Sequence, residues 1–141
     1  MMKDGKLEYL QMIQEPIGRM STASAVFKGF SATIVAGISV ISYSDIKSWI
    51  LGLSFLPVFA FLLLDIYYLK LERGYRYLFE QVRTDKHKID YSLQILKDSQ
   101  EVTKAKARVM DCIKSPSIYL FYPLMLGILI SVFVLKCLSV I

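Results

Sequence analysis

Three apolar stretches of the chain approach the thickness of a lipid bilayer, and they constrain the fold more than any other feature. Residues 30–43 carry no charge and reach the length of a span when they are extended back through Lys28. Residues 48–69 contain a single charge, Asp65, and residues 118–141 contain only Lys136. A transmembrane helix needs about 20 predominantly apolar residues. The sequence therefore predicts an all-α membrane protein.

The pattern divides the chain into four parts. These are an amphipathic N-terminal segment (1–19), a transmembrane helical hairpin (20–69), a cytosolic region forming a second helical hairpin (70–115) and a third, C-terminal transmembrane helix (116–141). Pro16 is expected to break or kink the first part, because proline removes a backbone donor and clashes with the preceding turn. This segment is either an interfacial helix on the membrane surface or a short helix packed on the protein's own cytosolic part.

Positive charge predicts the orientation. Residues 70–114 hold 11 of the 17 Lys and Arg residues, whereas the turn between the first two spans holds only Lys47. By the positive-inside rule the basic region faces the cytoplasm. With three spans, the N-terminus is then cytoplasmic and the C-terminus lies outside. The net charge of +5 is concentrated beside apolar blocks, which favours the lipid bilayer over nucleic acid as a partner.

A stripe of small residues follows the first span. Its members recur every four residues: Ser21, Ala25, Gly29, Thr33 and Gly37. Small side chains let helix backbones approach closely in lipid, where the hydrophobic effect does not drive helices together. The stripe predicts a packing face for the first span. Two partners remain open, another span of the same chain or a second copy in an oligomer or pore.

Lys28 and Asp65 are charges at membrane depth. Counted from the turn near Asp45, they lie 17 and 20 residues away. At about 1.5 Å per residue their levels differ by only about 4.5 Å, so an antiparallel hairpin brings them together. Such a pair either locks the hairpin or serves as a pore-lining or gating charge. Lys70 and Arg73 are alternative partners for Asp65.

Two heptad-like patterns predict helices in the cytosolic region. The first pattern continues the second span, and the second predicts a separate helix. Their residues are Tyr68, Leu71, Tyr75, Leu78 and Val82, then Ile89, Leu93, Leu96, Gln100, Thr103, Ala107 and Met110. Spacings of three and four residues place side chains on one helix face. The region is either a solvated helical hairpin or a sensing stalk.

Basic residues mark the membrane exit of the second span, namely Lys70, Arg73 and Arg76, interleaved with tyrosines. They predict anchoring to anionic headgroups, at about 1 kcal/mol per basic residue. A nucleotide or polyphosphate site would use the same groups.

No pattern of a catalytic, metal or cofactor site is present in the sequence. His87 has no second His or Cys at ligand spacing, and no Gly-rich phosphate loop occurs. We expect no enzyme activity, no cofactor and no metal. Cys112 and Cys137 lie in regions of different character, so we expect no framework disulfide.

Several short runs resemble a family of small bacterial membrane proteins of unassigned function. The runs are residues 7–14, 17–20 and 28–30 in the lead-in, and residues 65–69 and 72–76 at the exit of the hairpin. The family carries a lead-in YLxFIQ…RM…KGW and an exit DxYYLxxER, and Phe30 stands where the family commonly has Trp. The likeness covers residues 7–83. The architecture also resembles that of the SLATT-type two-transmembrane effectors of bacterial conflict systems.

The resemblance implies an effector of anti-phage defence in the bacterial inner membrane. On this basis the leading hypothesis is an oligomeric, pore-forming or membrane-perturbing effector. The alternative is a non-channel membrane anchor or regulatory subunit whose basic cytosolic helices bind a protein or an anionic partner. A cytosolic defence protein or a nucleotide signal is the candidate partner besides lipid and the chain itself.

Overall fold

A computed structural model describes residues 5–139, and all regular secondary structure in this range is helical. The predicted all-α class is confirmed there. The helices are α1 (Lys6–Ile41), α2 (Ser48–Leu53), α3 (Phe55–Arg83), α4 (Ser99–Lys104), α5 (Val109–Ile113), α6 (Pro116–Tyr119) and α7 (Phe121–Cys137). Two helices are long and apolar enough to cross a membrane, namely α1 and the run Ser48–Arg83 formed by α2 and α3.

The third predicted span differs from expectation. Helix α7 has 17 residues, and the chain bends by 65° between the segment Ser99–Tyr119 and α7. A third crossing therefore exists only if this bent pair is taken as one span. The last residues of the predicted span, 140 and 141, lie outside the described range.

Prolines explain two of the helix breaks. Pro57 and Pro123 lack the N–H that would bond to the carbonyl four residues earlier, at residues 53 and 119. Helix α2 ends at Leu53 and α6 ends at Tyr119, so both breaks fall at these carbonyls. The expected break at Pro16 was wrong, because α1 runs through this proline without interruption.

The chain forms two compact units. Unit 1 contains residues 5–24 and Ile66–Ile113, and unit 2 contains Ala25–Asp65 and residues 114–139.

The core of unit 1 joins the start of α1 to the end of α3. Tyr9 and Ile13 on α1 are fully buried against Leu78 and Val82 on α3. The spacing of four residues within each helix puts each pair on one face. The N-terminal segment is therefore packed on the protein itself, and Leu78 and Val82 of the first heptad pattern point into the core as the spacing predicts.

The second heptad pattern does not form the predicted helix. Residues 88–97, called the strap below, have no regular secondary structure, and only the short helices α4 and α5 follow. Ile89, Leu93 and Ile95 in the strap pack against the core of unit 1. The strap comes close to α3 at Gly74, where an added Cβ would lie 2.9 Å from Cδ1 of Ile95. Ile89, Leu93 and Ile95 are thus partly buried by tertiary contact rather than by a helical seam.

Helix α7 makes contacts at both of its ends within unit 2. Near its start, the Tyr122 hydroxyl donates a hydrogen bond to the carbonyl of Phe61 on α3, at 3.3 Å. Near its end, the Lys136 ammonium donates to the carbonyl of Ser44, in the connection between α1 and α2, at 2.8 Å. Helix α7 therefore extends from the level of Phe61 to the level of this connection.

Candidate functional site

An ion pair is buried among the apolar helices of unit 2. Nζ of Lys28 on α1 lies 2.5 Å from Oδ2 of Asp65 on α3. The side chain of Asp65 is 0% exposed and that of Lys28 is 17% exposed. The two charges that the sequence placed at one level are therefore in direct contact. The cation in this contact is Lys28, and neither of the alternative partners, Lys70 and Arg73, takes part in it.

Helix α7 adds a tyrosine to this ion pair. Tyr122 is 1% exposed, and its hydroxyl, which donates to the carbonyl of Phe61, lies near the Asp65 carboxylate and the Ser31 hydroxyl. Ser31 is also fully buried, and its hydroxyl donates to the carbonyl of Phe27 at 2.9 Å. Lys28, Ser31, Asp65 and Tyr122 thus form one polar cluster drawn from three helices. We call it the buried polar cluster.

Aromatic rings flank the buried polar cluster. The ring of Phe61 on α3 stacks on those of Phe27 and Phe30 on α1, with centroid separations of 6.0 Å in both cases. Offset aromatic stacking contributes about 0.5–1.5 kcal/mol per pair beyond area burial.

The chemistry of the buried polar cluster is that of a lock between helices. A carboxylate taken out of water is costly unless a cation pairs with it, and the ammonium of Lys28 pairs with Asp65. Because Asp65 is fully buried, its carboxylate does not line a surface in this conformation. A gating role requires the pair to separate first.

Sequence reasoning missed Ser31 and Tyr122. The available signal was the position of Tyr122 near the start of an otherwise apolar helix, because a buried tyrosine hydroxyl usually has a partner. Which partner it meets depends on the rotation of α7, and hydropathy does not encode this rotation.

The small-residue stripe of α1 is exposed in the structure. Ser21, Ala25, Gly29, Thr33 and Gly37 are all exposed. A Cβ added at Gly29 or Gly37 would meet no atom within 4 Å, apart from its own chain neighbours and helix backbone. In the most apolar window of α1 only 11% of residues are buried, against 28% for the Ser48–Arg83 run. The two partners expected for the stripe, another span of the same chain and a second copy of the chain, both stay predictions.

The predicted anionic-ligand residues separate into two groups. Arg73 and Arg76 line a surface cleft of unit 1, together with residues from the connection after α4. Lys70 is not among the residues lining this cleft, and its charge acts on the buried thiol of Cys112. Burial raises the pKa of that thiol, whereas the positive charges of Arg73 and Lys70 partly oppose the rise.

Within residues 5–139 no group of three or more His, Cys, Asp or Glu side chains is arranged to hold a metal ion.

Comparison with family models, with curated proteins and with solved structures found no match for this chain.

Proposed function

We propose that this protein is an oligomeric membrane effector whose subunits associate through the small-residue stripe of α1 and perturb the bilayer, most simply by forming a pore. The observation that carries the proposal is that all five stripe residues are exposed in a helix apolar enough to cross a membrane.

The stripe contrasts with the other exposed residues of the apolar helices. Leu56 and Leu63 on α3, each 66% exposed, and Leu124 on α7, 60% exposed, are large and branched. Such side chains fill the space beside lipid tails. A face of glycine, alanine, serine and threonine instead leaves a groove, which favours the close approach of a second helix.

The resemblance to small bacterial membrane proteins and to SLATT-type effectors supports a role in anti-phage defence at the inner membrane. In this proposal the buried polar cluster keeps the helices of each subunit together while the stripe joins subunits. The alternative, a non-channel anchor or regulator, is favoured by the basic cleft of unit 1.

The first prediction tests the stripe. Gly29→Leu and Gly37→Leu should shift nanodisc-embedded protein from oligomer to monomer, because each added side chain fills the groove. Liposomes that contain the natural chain should release a trapped dye, and liposomes that contain the monomeric variants should retain it. Particle mass and dye release measure the two effects.

Gly127→Leu is the matched control. Gly127 is an exposed glycine on the apolar helix α7, with open space around an added Cβ, so this variant should assemble like the natural chain. A monomeric natural chain at high density in the membrane, or unchanged assembly of the α1 variants, contradicts self-association through the stripe. Stable oligomers without dye release favour the anchor or regulator.

A further inference from the structure

Unit 1 contains a basic cleft formed by residues far apart in the sequence. Arg73, Arg76 and Tyr77 on α3 line one side, and Lys104, Ala105 and Lys106 at the end of α4 line the other. Arg73 and Arg76 are three residues apart and therefore share a face of α3. The sequence singled out only the arginines. The fold adds two lysines that lie about 30 residues later.

Charge in this cleft is strongly one-sided. Four of its six lining residues are cationic and none is acidic. Glu72 neutralises part of this charge from outside the lining, because its Oε1 lies 2.8 Å from the guanidinium of Arg76. Arg73, Lys104 and Lys106 have no ion pair within 4.0 Å among those found in the described chain. The cleft therefore holds uncompensated positive charge.

A direct contact fixes the two sides of the cleft to one another. The Arg73 guanidinium donates a hydrogen bond to the backbone carbonyl of Lys106, at 2.6 Å. This contact orients the planar guanidinium and uses only part of its five donors. The remaining donors are held in place for an anion, and arginine binds phosphate in this planar geometry.

The backbone at Lys106 gives an independent indication. The N–H of Ala107 bonds to the carbonyl of Val102, and the N–H of Lys106 bonds to that of Thr103. This is the Schellman arrangement at a helix end, and the residue at the position of Lys106 usually is glycine because it takes a left-handed conformation. Lys106 has φ +50°, which costs free energy for a side chain with a Cβ. A lysine at this position places a cation on the cleft at the expense of stability.

We propose that this cleft binds a phosphomonoester or diphosphate group. The cleft is shallow, with about 430 Å³ of space beside its lining residues, and several cations there suit a ligand with more than one negative charge. Tyr77 supplies a hydroxyl and a ring beside the arginines. The group belongs either to a lipid headgroup or to a soluble nucleotide or phosphate. The proposal does not depend on self-association.

The test uses the full chain in phosphatidylcholine nanodiscs, titrated with pyrophosphate. Lys104→Gln combined with Lys106→Gln should weaken binding about tenfold or more, because each basic contact near a charged surface contributes about a factor of five. Lys86→Gln combined with Lys88→Gln removes the same charge from exposed positions of unit 1 outside the cleft, and it should change binding less than twofold.

A second variant separates binding from folding. Lys106→Gly should raise the thermal unfolding midpoint, because glycine accepts the left-handed conformation, and should weaken pyrophosphate binding about fivefold. A purely structural lysine would not give these opposite changes.

Nanodiscs that contain phosphatidic acid distinguish the sources of the phosphate. If pyrophosphate binding is abolished in them and restored by diluting the acidic lipid, the cleft takes a headgroup; if it persists, the cleft takes a soluble phosphate. Absence of binding in both arms overturns the proposal, as does equal weakening by the Lys86 and Lys88 control.

Discussion

Asp65 joins two helices of unit 2, and a third helix packs beside it. Its carboxylate contacts Lys28 on α1, and Tyr122 on α7 lies near this ion pair and bonds to the carbonyl of Phe61 on α3. Counting residues from the turn was enough to predict the level of Lys28 and Asp65, because helix rise is constant. Ser31 and Tyr122 were not predictable in the same way, since their place depends on how the helices rotate about their axes.

Asp65→Asn should destabilise the folded protein by about 3–5 kcal/mol, because it leaves the Lys28 ammonium buried without its counter-charge. Unfolding in mixed detergent micelles measures the change. Asp45→Asn, in the exposed connection before α2, is the control and should stay within about 0.5 kcal/mol of the natural chain.

The double replacement of Lys28 by Met and Asp65 by Leu should recover most of the loss, since an apolar pair removes both desolvated charges. Equal stability of Asp65→Asn and the natural chain would show that the ion pair does not lock the helices.

Tyr9 permits a prediction about pH in unit 1. Its hydroxyl donates to the carbonyl of Ser92 at 2.6 Å and is 3.0 Å from the carboxylate of Asp90. Burial, followed by the hydrogen bond to Asp90, raises the pKa of Tyr9 from 10.0 to about 12. The folded state therefore favours the protonated phenol, and the stability this provides is present below pH 10 and is lost as the pH rises toward 12.

Tyr9→Phe should lower stability by about 1 kcal/mol at neutral pH, because the buried ring loses its hydrogen bonds. The difference between the natural chain and this variant should shrink as the pH rises from about 10 toward about 12 in urea unfolding. Tyr43→Phe, at an exposed tyrosine that is 76% accessible, should show no such dependence. A constant difference across this range would contradict the role of the Tyr9 phenol.

At the scale of elements, the strap shows where periodicity fails. Spacings of three and four residues predicted a helix from residue 89, but this segment has no regular secondary structure, and its partly buried Ile89 and Leu93 pack against the core formed by α1 and α3. Tyr91 and Leu96 have φ values of +54° and +56°, conformations that bulky residues rarely adopt. The strap contains no glycine or asparagine that would have indicated these left-handed conformations in the sequence. By contrast, α1 and α3 were predictable, because long apolar runs impose helices wherever the backbone leaves water.

Gly74→Leu should detach the strap, because even its Cβ would meet Ile95 and Leu96 of the strap at 2.9 and 3.0 Å. Trypsin should then cleave faster after Lys88 and Lys97, and amide exchange in the strap should accelerate. Gly18→Leu is the control, since an added Cβ on α1 there meets nothing within 4 Å. Unchanged cleavage of the Gly74 variant would mean that the strap is not held by its contact with α3.

For the whole molecule, the number of membrane crossings depends on α7. The two spans α1 and α2–α3 alone would leave both termini on one side, whereas a third crossing by α7 places the C-terminus opposite. Helix α7 has about 26 Å of length, and its two ends contact Phe61 and Ser44 of unit 2. Its Lys136 bonds to Ser44 in the connection that precedes α2. This connection holds a single basic residue of its own, Lys47, so the positive-inside rule predicts that it lies on the outer side.

The native cysteines allow the crossing to be measured directly. Cys137 is exposed near the end of α7, and Cys112 is buried in unit 1. In a Cys112→Ser background, a membrane-impermeant maleimide should label Cys137 in spheroplasts, because three crossings place it outside. Lys97→Cys in a cysteine-free chain should react only in inverted vesicles, because the positive charge of its region holds it in the cytoplasm. Labelling of both positions from the same side would reduce the protein to two spans, and α7 would then be a re-entrant or interfacial helix, bent at Leu120 and returning to the side from which it started.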